Sequence, residues 1–192
     1  WKEIRQEFDY FYPLDLNLGG KEHQTVHFPV FIMNHVAILP EEKWPRGIMV
    51  NWWVTGKGSK ISKSKGGAEP IPDAIEKYGV DAMRLYYAHI GSPHTDIVWE
   101  EEVVLHYKNA LERIYALVET LQIVSGKKKM IDAWLESRVH QHLKKIQQAM
   151  QQYELRELAS ITYFAFYDDL RWYVRRGGEN KKLLREIISI WC

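Results

Sequence analysis

Apolar and polar positions follow two different rhythms along this chain, and the change falls near residue 100. Before it, short apolar runs alternate with glycine and proline. Phe28 to Leu39 is almost continuously apolar, follows a turn expected at Gly19-Gly20 and is closed by Pro40. Its length and its lone polar pair, Asn34-His35, point to a helix rather than a buried strand. Arg46-Gly47 then opens Ile48 to Val54, β-branched and aromatic enough for a strand, and Thr55 to Ser59 reads as a flexible turn. Pro72 to Gly79 carries the punctuation of a short helix ending at glycine. Val80 to Ile90 reads as another, with Asp81 as its expected N-cap.

Beyond residue 100 the period becomes that of long amphipathic helices. Tyr107, Leu111, Ile114, Leu117, Val118 and Leu121 mark one face, ended by Ser125-Gly126. Leu135, Val139, Leu143, Ile146 and Met150 mark a second. Leu155, Leu158, Thr162, Ala165, Asp169 and Trp172 trace a third, closed by Gly177-Gly178, and a fourth begins near Asn180 with Leu183, Leu184, Ile187 and Ile188. Short connections between long helices favour antiparallel neighbours, so this half is expected to be an antiparallel helix bundle. The predicted fold class is α/β followed by all-α, with a boundary at 100/101.

Composition narrows the picture. A hydrophobic share of 46% with 27% charge is that of a globular protein. No run approaches the roughly 18 apolar residues of a membrane span, and no secretory signal opens the chain, so a cytoplasmic location without membrane contact is expected. The single cysteine, Cys192, offers neither a disulfide framework nor a cysteine metal site. A net charge of +1 does not announce a nucleic-acid binder, so any RNA surface has to be local. The chain begins at Trp1 and stops inside a helix-like run, and both ends are expected to be internal to a longer polypeptide.

The most distinctive chemistry is Lys60-Ile61-Ser62-Lys63-Ser64-Lys65, bracketed by Gly56, Gly58, Gly66 and Gly67. Mobile ammonium groups and hydroxyls on a glycine-rich loop suit a polyphosphate. A solvated surface loop has the same composition. A Walker A loop is excluded, because its Gly-Lys-Ser/Thr order after a four-residue spacer is missing. His23 and His27, four apart, share a face on a helix, but no nearby cysteine or well-spaced carboxylate completes a metal site, and none is expected.

Lys60 to Ser64 resembles the Lys-Met-Ser-Lys-Ser signature of class I aminoacyl-tRNA synthetases, with Ile61 in place of Met. Its surroundings are similar to those of archaeal and eukaryotic leucyl-tRNA synthetases. They are Tyr12-Pro13-Leu14-Asp15, Gly19 to His23, Met33 to Ile38, Trp44-Pro45, Val50-Asn51, Asp73-Ala74-Ile75, Gly79 to Tyr86 and Asp168 to Tyr173, in order. The resemblance covers essentially the whole chain. It implies the second half of a Rossmann-type nucleotide-binding domain with a stem-contact segment over 1–100, and a truncated helical anticodon-binding domain over 101–192.

The implied reaction joins leucine to ATP as leucyl-adenylate and then transfers it to tRNA(Leu), with Mg2+ accompanying ATP. Lys60 and Lys63 are implied as the catalytic cations, and Gly20, Glu22, Lys60, Ser62, Lys63 and Ser64 as the ATP-binding set. Glu22 matches the carboxylate that holds the ribose hydroxyls, a bidentate acceptor facing two donors. His23 and His27 are implied to line the leucine pocket. Arg84, Arg171, Arg175 and Arg176 are implied to meet tRNA phosphates, in a region also rich in Lys127, Lys128, Lys129, Lys181, Lys182 and Arg185. Adenylation needs no protein base, since the attacking carboxylate is already ionised, so His35 is read as structural. Tyr163, Phe164, Phe166 and Tyr167 suit either an RNA stacking platform or bundle core, and core is the expectation.

Some residues depart from the family pattern. Trp52 and Val54 stand where related enzymes tend to have glycine, Gly67 stands where Asn is usual, and the family's His-x-Gly-His signature is nowhere in the 192 residues. The isolated chain is therefore expected to be monomeric and to activate no amino acid. The alternative reading is a synthetase-related paralogue with weakened or lost ligase activity, acting through RNA binding.

Overall fold

The computed structural model describes residues 1–56, 70–91 and 95–191, together with the backbone of 59–60. Two compact units divide it: residues 1–66 with 91–99, and residues 67–90 with 100–192. Among the described residues nine α-helices far outweigh five short strands.

In the first unit α1 (Lys2–Phe11) leads through Tyr12-Pro13 into β1 (Asn17–Gly20). Gly19-Gly20, expected as a turn, is instead the end of this strand. It pairs in parallel with β2 (Ile48–Asn51), Gly20 opposite Asn51. Pairing across the chain supplies ladder partners that local propensity does not anticipate, and a glycine at 19 is what close packing over Phe28 permits. A Cβ added at Gly19 would lie 2.5 Å from the Phe28 ring. Helix α2 (His27–Ile38) occupies the long apolar run as expected. Pro29 falls in its first turn, where a missing N–H costs no hydrogen bond.

The strand expected over 48–54 is broken at Trp52-Trp53. Its second piece, β3 (Val54–Gly56), belongs to another sheet, antiparallel to β4 (Ser59–Lys60) and parallel to β5 (Ile97–Val98). Thr55, Gly56 and Ser59 are thus strand residues, not a turn. A tandem of bulky aromatics satisfies strand propensity while leaving the ladder unspecified, so propensity alone runs across the break.

The second unit opens with α3 (Ile71–Tyr78) and α4 (Val80–Ile90). Gly79 between them has φ 85°, a conformation glycine adopts without strain. Its carbonyl accepts the first bond of α4, from Met83 N–H, so Asp81 is not the N-cap. It sits inside the first turn, where a carboxylate still complements the helix dipole.

Long helices α5 (Glu101–Gln122) and α6 (Ile131–Gln151) follow, then α7 (Leu155–Ala159) and α8 (Phe166–Arg175), joined through a π-helical stretch over Ser160–Ala165, and α9 (Lys181–Trp191). Leu121, Leu135, Val139, Phe166, Leu170, Tyr173 and Leu184 centre their core. Full burial of each such side chain contributes about 1.5–3 kcal/mol.

The expected third face is one residue out of phase. Leu155 and Trp172 are exposed while Ala159, Phe166, Leu170 and Tyr173 are buried. Met150 is likewise exposed, and Ala149 takes the inward position. The π stretch accounts for part of this, because it slips the hydrogen-bond phase. Phe166 N–H bonds to the Ile161 carbonyl, and the Thr162 carbonyl accepts the Trp191 indole N–H at 2.6 Å.

A polar cluster joins α4, α5 and the start of the π stretch. Ser160 donates its hydroxyl to the Arg156 carbonyl, so its oxygen accepts from His89 Nε2 at 3.0 Å, while His89 Nδ1 accepts the Tyr107 hydroxyl at 2.7 Å. That wiring requires a neutral imidazole with its proton on Nε2. Burial, and secondarily the Arg156 cation, hold the His89 pKa below its ordinary value. The sign follows: the unfolded chain takes up the proton more readily, so the stability is fully present above about pH 6.5 and is lost as pH falls through that value towards the folded pKa. Denaturant unfolding at pH 7 and pH 5 should show this loss in the wild type and less of it in His89→Gln. Equal losses in the two proteins would remove the assignment.

Candidate nucleotide and RNA sites

The carboxyl ends of β1 and β2 lie side by side, the edge of a parallel sheet beyond which ligands generally bind. Gly20, Glu22, His23 and His27 are all brought there. After Gly20 the chain makes a 3-10 turn over Lys21–Gln24 and then enters α2. The Gly20 N–H donates to His23 Nδ1 at 3.2 Å, turning that ring back over the strand end. The Glu22 carboxylate folds over Gly20 and fills the space a side chain would need: an added Cβ would meet Glu22 Oε2 at 2.6 Å. Glu22, His23 and His27 are exposed, and the two imidazole rings meet edge-on with centroids 5.5 Å apart. Among the described residues no three His, Cys, Asp or Glu side chains form a group able to hold a metal ion.

Behind this edge His35 has both ring nitrogens engaged, with the Tyr12 hydroxyl at 3.1 Å and the Phe31 carbonyl at 2.7 Å. It stacks with Tyr12 and packs on Phe31. Such an imidazole holds α2 against the chain leaving α1, in keeping with a structural reading. The lysine loop begins at β4, whose Lys60 backbone pairs with Thr55. The Lys60 side chain and all of Ser62, Lys63 and Ser64 lie outside the described residues.

Sequence reasoning left one contact here unseen. Lys21 places its ammonium 3.2 Å from the centroid of the Trp52 ring. Trp52 follows β2 directly as Lys21 follows β1, and only the parallel pairing of those strands brings the two together.

The arginines fall in the second unit. Arg84 is exposed on α4, Arg171 and Arg175 project from α8, and Arg176 caps its end. Arg176 lies over the Trp172 ring at 5.0 Å and Arg171 over Tyr167 at 5.3 Å. Arg171 also lines a cleft of about 370 Å³ with Arg113, Ile114, Tyr163, Tyr167 and Asp168. Of the four aromatics expected in the core, Phe166 is fully buried, whereas Phe164 and Tyr167 are half-buried against this cleft and Tyr163 reaches solvent. The cleft had no clear sequence signal, because Arg113 and Arg171 come from helices 58 positions apart.

Asp169, also on α8, has structural partners. Asp169 accepts from Arg138 Nε at 2.8 Å and pairs with His142 Nε2 at 2.7 Å.

Residues 18–122 match the family described as tRNA synthetases class I (M), and residues 132–192 match the anticodon-binding domain of tRNA ligase. The leucine–tRNA ligase of Archaeoglobus fulgidus is 38% identical over 184 residues, 95% of this chain and 20% of the relative. That of Methanocaldococcus jannaschii is 38% identical over 191 residues, 97% of this chain and 20% of the relative. The chain thus spans about a fifth of the length of the curated relatives it matches. A solved Agrobacterium radiobacter LeuRS, in a ternary complex with tRNA and LeuAMS, superimposes with a TM-score of 0.76 over 93% of this chain and 26% of its own, at 18% identity, a likeness of fold. With one family pattern running from β1 to the end of α5, over more than half of its residues, the chain belongs to the class I tRNA synthetases.

Proposed function

We propose that this chain is part of an ATP-dependent leucine–tRNA ligase. It would supply the second half of a Rossmann-type nucleotide-binding domain over 1–100 and, over 101–192, an antiparallel anticodon-binding bundle. The observation that carries the reading is the convergence of Gly20 and Glu22 at the carboxyl ends of two parallel strands in a chain of this family. Identity to leucine–tRNA ligases along almost the whole chain supports leucine as the amino acid.

In this reading the leucine carboxylate attacks the α-phosphate of ATP. The P–O bond to the β-phosphate breaks, and leucyl-adenylate and pyrophosphate form. Glu22 accepts the ribose hydroxyls, and Gly20 lets the nucleotide approach the backbone. His23 and His27 flank the leucine side chain. Lys60 and Lys63, with the Ser62 and Ser64 hydroxyls, meet the β- and γ-phosphates, Lys63 foremost, and Mg2+ enters with ATP. The pyrophosphate leaves with added negative charge, so a preplaced ammonium favours the transition state over the ground state. The tRNA(Leu) ribose hydroxyl then attacks the adenylate carbonyl and AMP departs. Arg84, Arg171, Arg175 and Arg176 meet tRNA phosphates, contacts that give affinity and register but no sequence information. No described helix is long and apolar enough to cross a membrane.

The decisive experiment is amino-acid-dependent ATP–pyrophosphate exchange by the full-length protein, with leucine, isoleucine and valine in parallel. Exchange is expected with leucine at a kcat/KM at least about tenfold above the other two, since a hydrophobic pocket separates near-isosteres by about 10–200-fold. No exchange with leucine, or stronger exchange with another amino acid, would overturn the reading.

A further inference from the structure

We propose that Trp52 is a stacking platform for the purine base of the bound nucleotide, and that Lys21 covers the ring until the base arrives. This rests on the reading that a nucleotide binds beyond the carboxyl ends of β1 and β2. Gly20 and Asn51 are partners in the parallel ladder, so the residues that follow them, Lys21 and Trp52, leave adjacent strands at the same level. The Lys21 ammonium stands 3.2 Å from the indole centroid, and both side chains are half-buried. A π face is therefore presented at the sheet edge, against Lys21, the residue that directly precedes Glu22 in the chain. The same face that attracts a cation also stacks a base.

Competition for the ring favours the base. A half-buried cation–π contact is worth about a 2- to 30-fold preference, whereas base–aromatic stacking is worth about 5- to 150-fold. The displaced ammonium loses little, because a lysine head on a flexible stem is readily rehydrated or meets a phosphate oxygen of the incoming nucleotide.

Equilibrium dialysis of the full-length protein with labelled adenosine, and separately with pyrophosphate, tests the proposal. Trp52→Ala should weaken adenosine binding by about 5- to 150-fold and leave pyrophosphate binding within about twofold. Lys21→Met should tighten adenosine by about 2- to 30-fold, since its competitor is gone. Where the alanine variant does not fold, Trp52→Phe keeps a ring and supplies a second readout. Adenosine should quench a component of tryptophan emission in the wild type that is absent from Trp52→Phe. Unchanged or tighter adenosine binding in Trp52→Ala, or equal quenching in Trp52→Phe, overturns the platform while leucine-dependent exchange by the wild type leaves the ligase reading standing. A wild type that binds neither adenosine nor pyrophosphate removes both.

Discussion

Replacing Asp132 by alanine is expected to destabilise the helical unit by about 3–5 kcal/mol, measured by denaturant unfolding. Asp132 is fully buried at the start of α6, and its two oxygens accept three donors: the Tyr173 hydroxyl at 2.6 Å, the Asn180 amide at 2.7 Å and the Lys129 N–H at 3.0 Å. Removal leaves those donors without an acceptor, at a cost of about 1–3 kcal/mol each before relaxation. It also loosens the entry of α9, because Asn180 holds the Lys182 and Leu183 amides with its side-chain oxygen.

Burial alone would raise the Asp132 pKa, but the hydrogen bonds from Tyr173, Lys129 and Asn180 outweigh it and hold the carboxyl below its ordinary value. Its contribution is therefore fully present above the unfolded carboxylate pKa near 3.9 and is lost as pH falls below that towards the folded value. Tyr173, pushed up to about 12 by burial and by the bond to Asp132, remains a donor throughout this range. Asp132→Asn keeps the shape but turns one acceptor into a donor, so it should fall between wild type and alanine. A loss under about 1 kcal/mol for alanine would mean that water or repacking replaces the carboxylate.

Lys63→Ala in the full-length protein is expected to slow leucine-dependent pyrophosphate exchange by about 10²–10³-fold, the cost of removing one preorganised donor from a developing oxyanion. The effect belongs in kcat more than in the KM for leucine, because the charge it meets grows as pyrophosphate leaves. The unfolding transition should stay in place, which separates a lost catalytic charge from a damaged fold. An unchanged exchange rate would remove Lys63 from the site and return the lysine loop to an ordinary solvated segment.

Much of the candidate site was legible in the chain because its residues are neighbours in sequence. Gly20, Glu22, His23 and His27 fall within eight positions, so a strand end and one turn suffice to gather them. Arg171, Arg175 and Arg176 were legible as a cluster at one helix end, but their setting was not. That Arg171 shares a cleft with Arg113 depends on how α5 packs beside the π stretch. The strand break at Trp52-Trp53 was hidden for a related reason, since β propensity is high across it and only the choice of partner strands divides it.

The sequence by itself determined the two rhythms, the long helices, the glycine ends at Gly79 and Gly177, and the family to which the lysine signature and its flanks belong. These depend on periodicity and local backbone freedom, which act over a few residues. Tertiary structure alone decided that Gly19-Gly20 pairs as a strand, that Lys21 meets Trp52, which of two adjacent helix faces turns inward around Phe166, and that Asp132 gathers Tyr173 and Asn180. Those outcomes rest on partners brought from far along the chain. The free energy of burying a face or satisfying a carboxylate exists only once the partner is there.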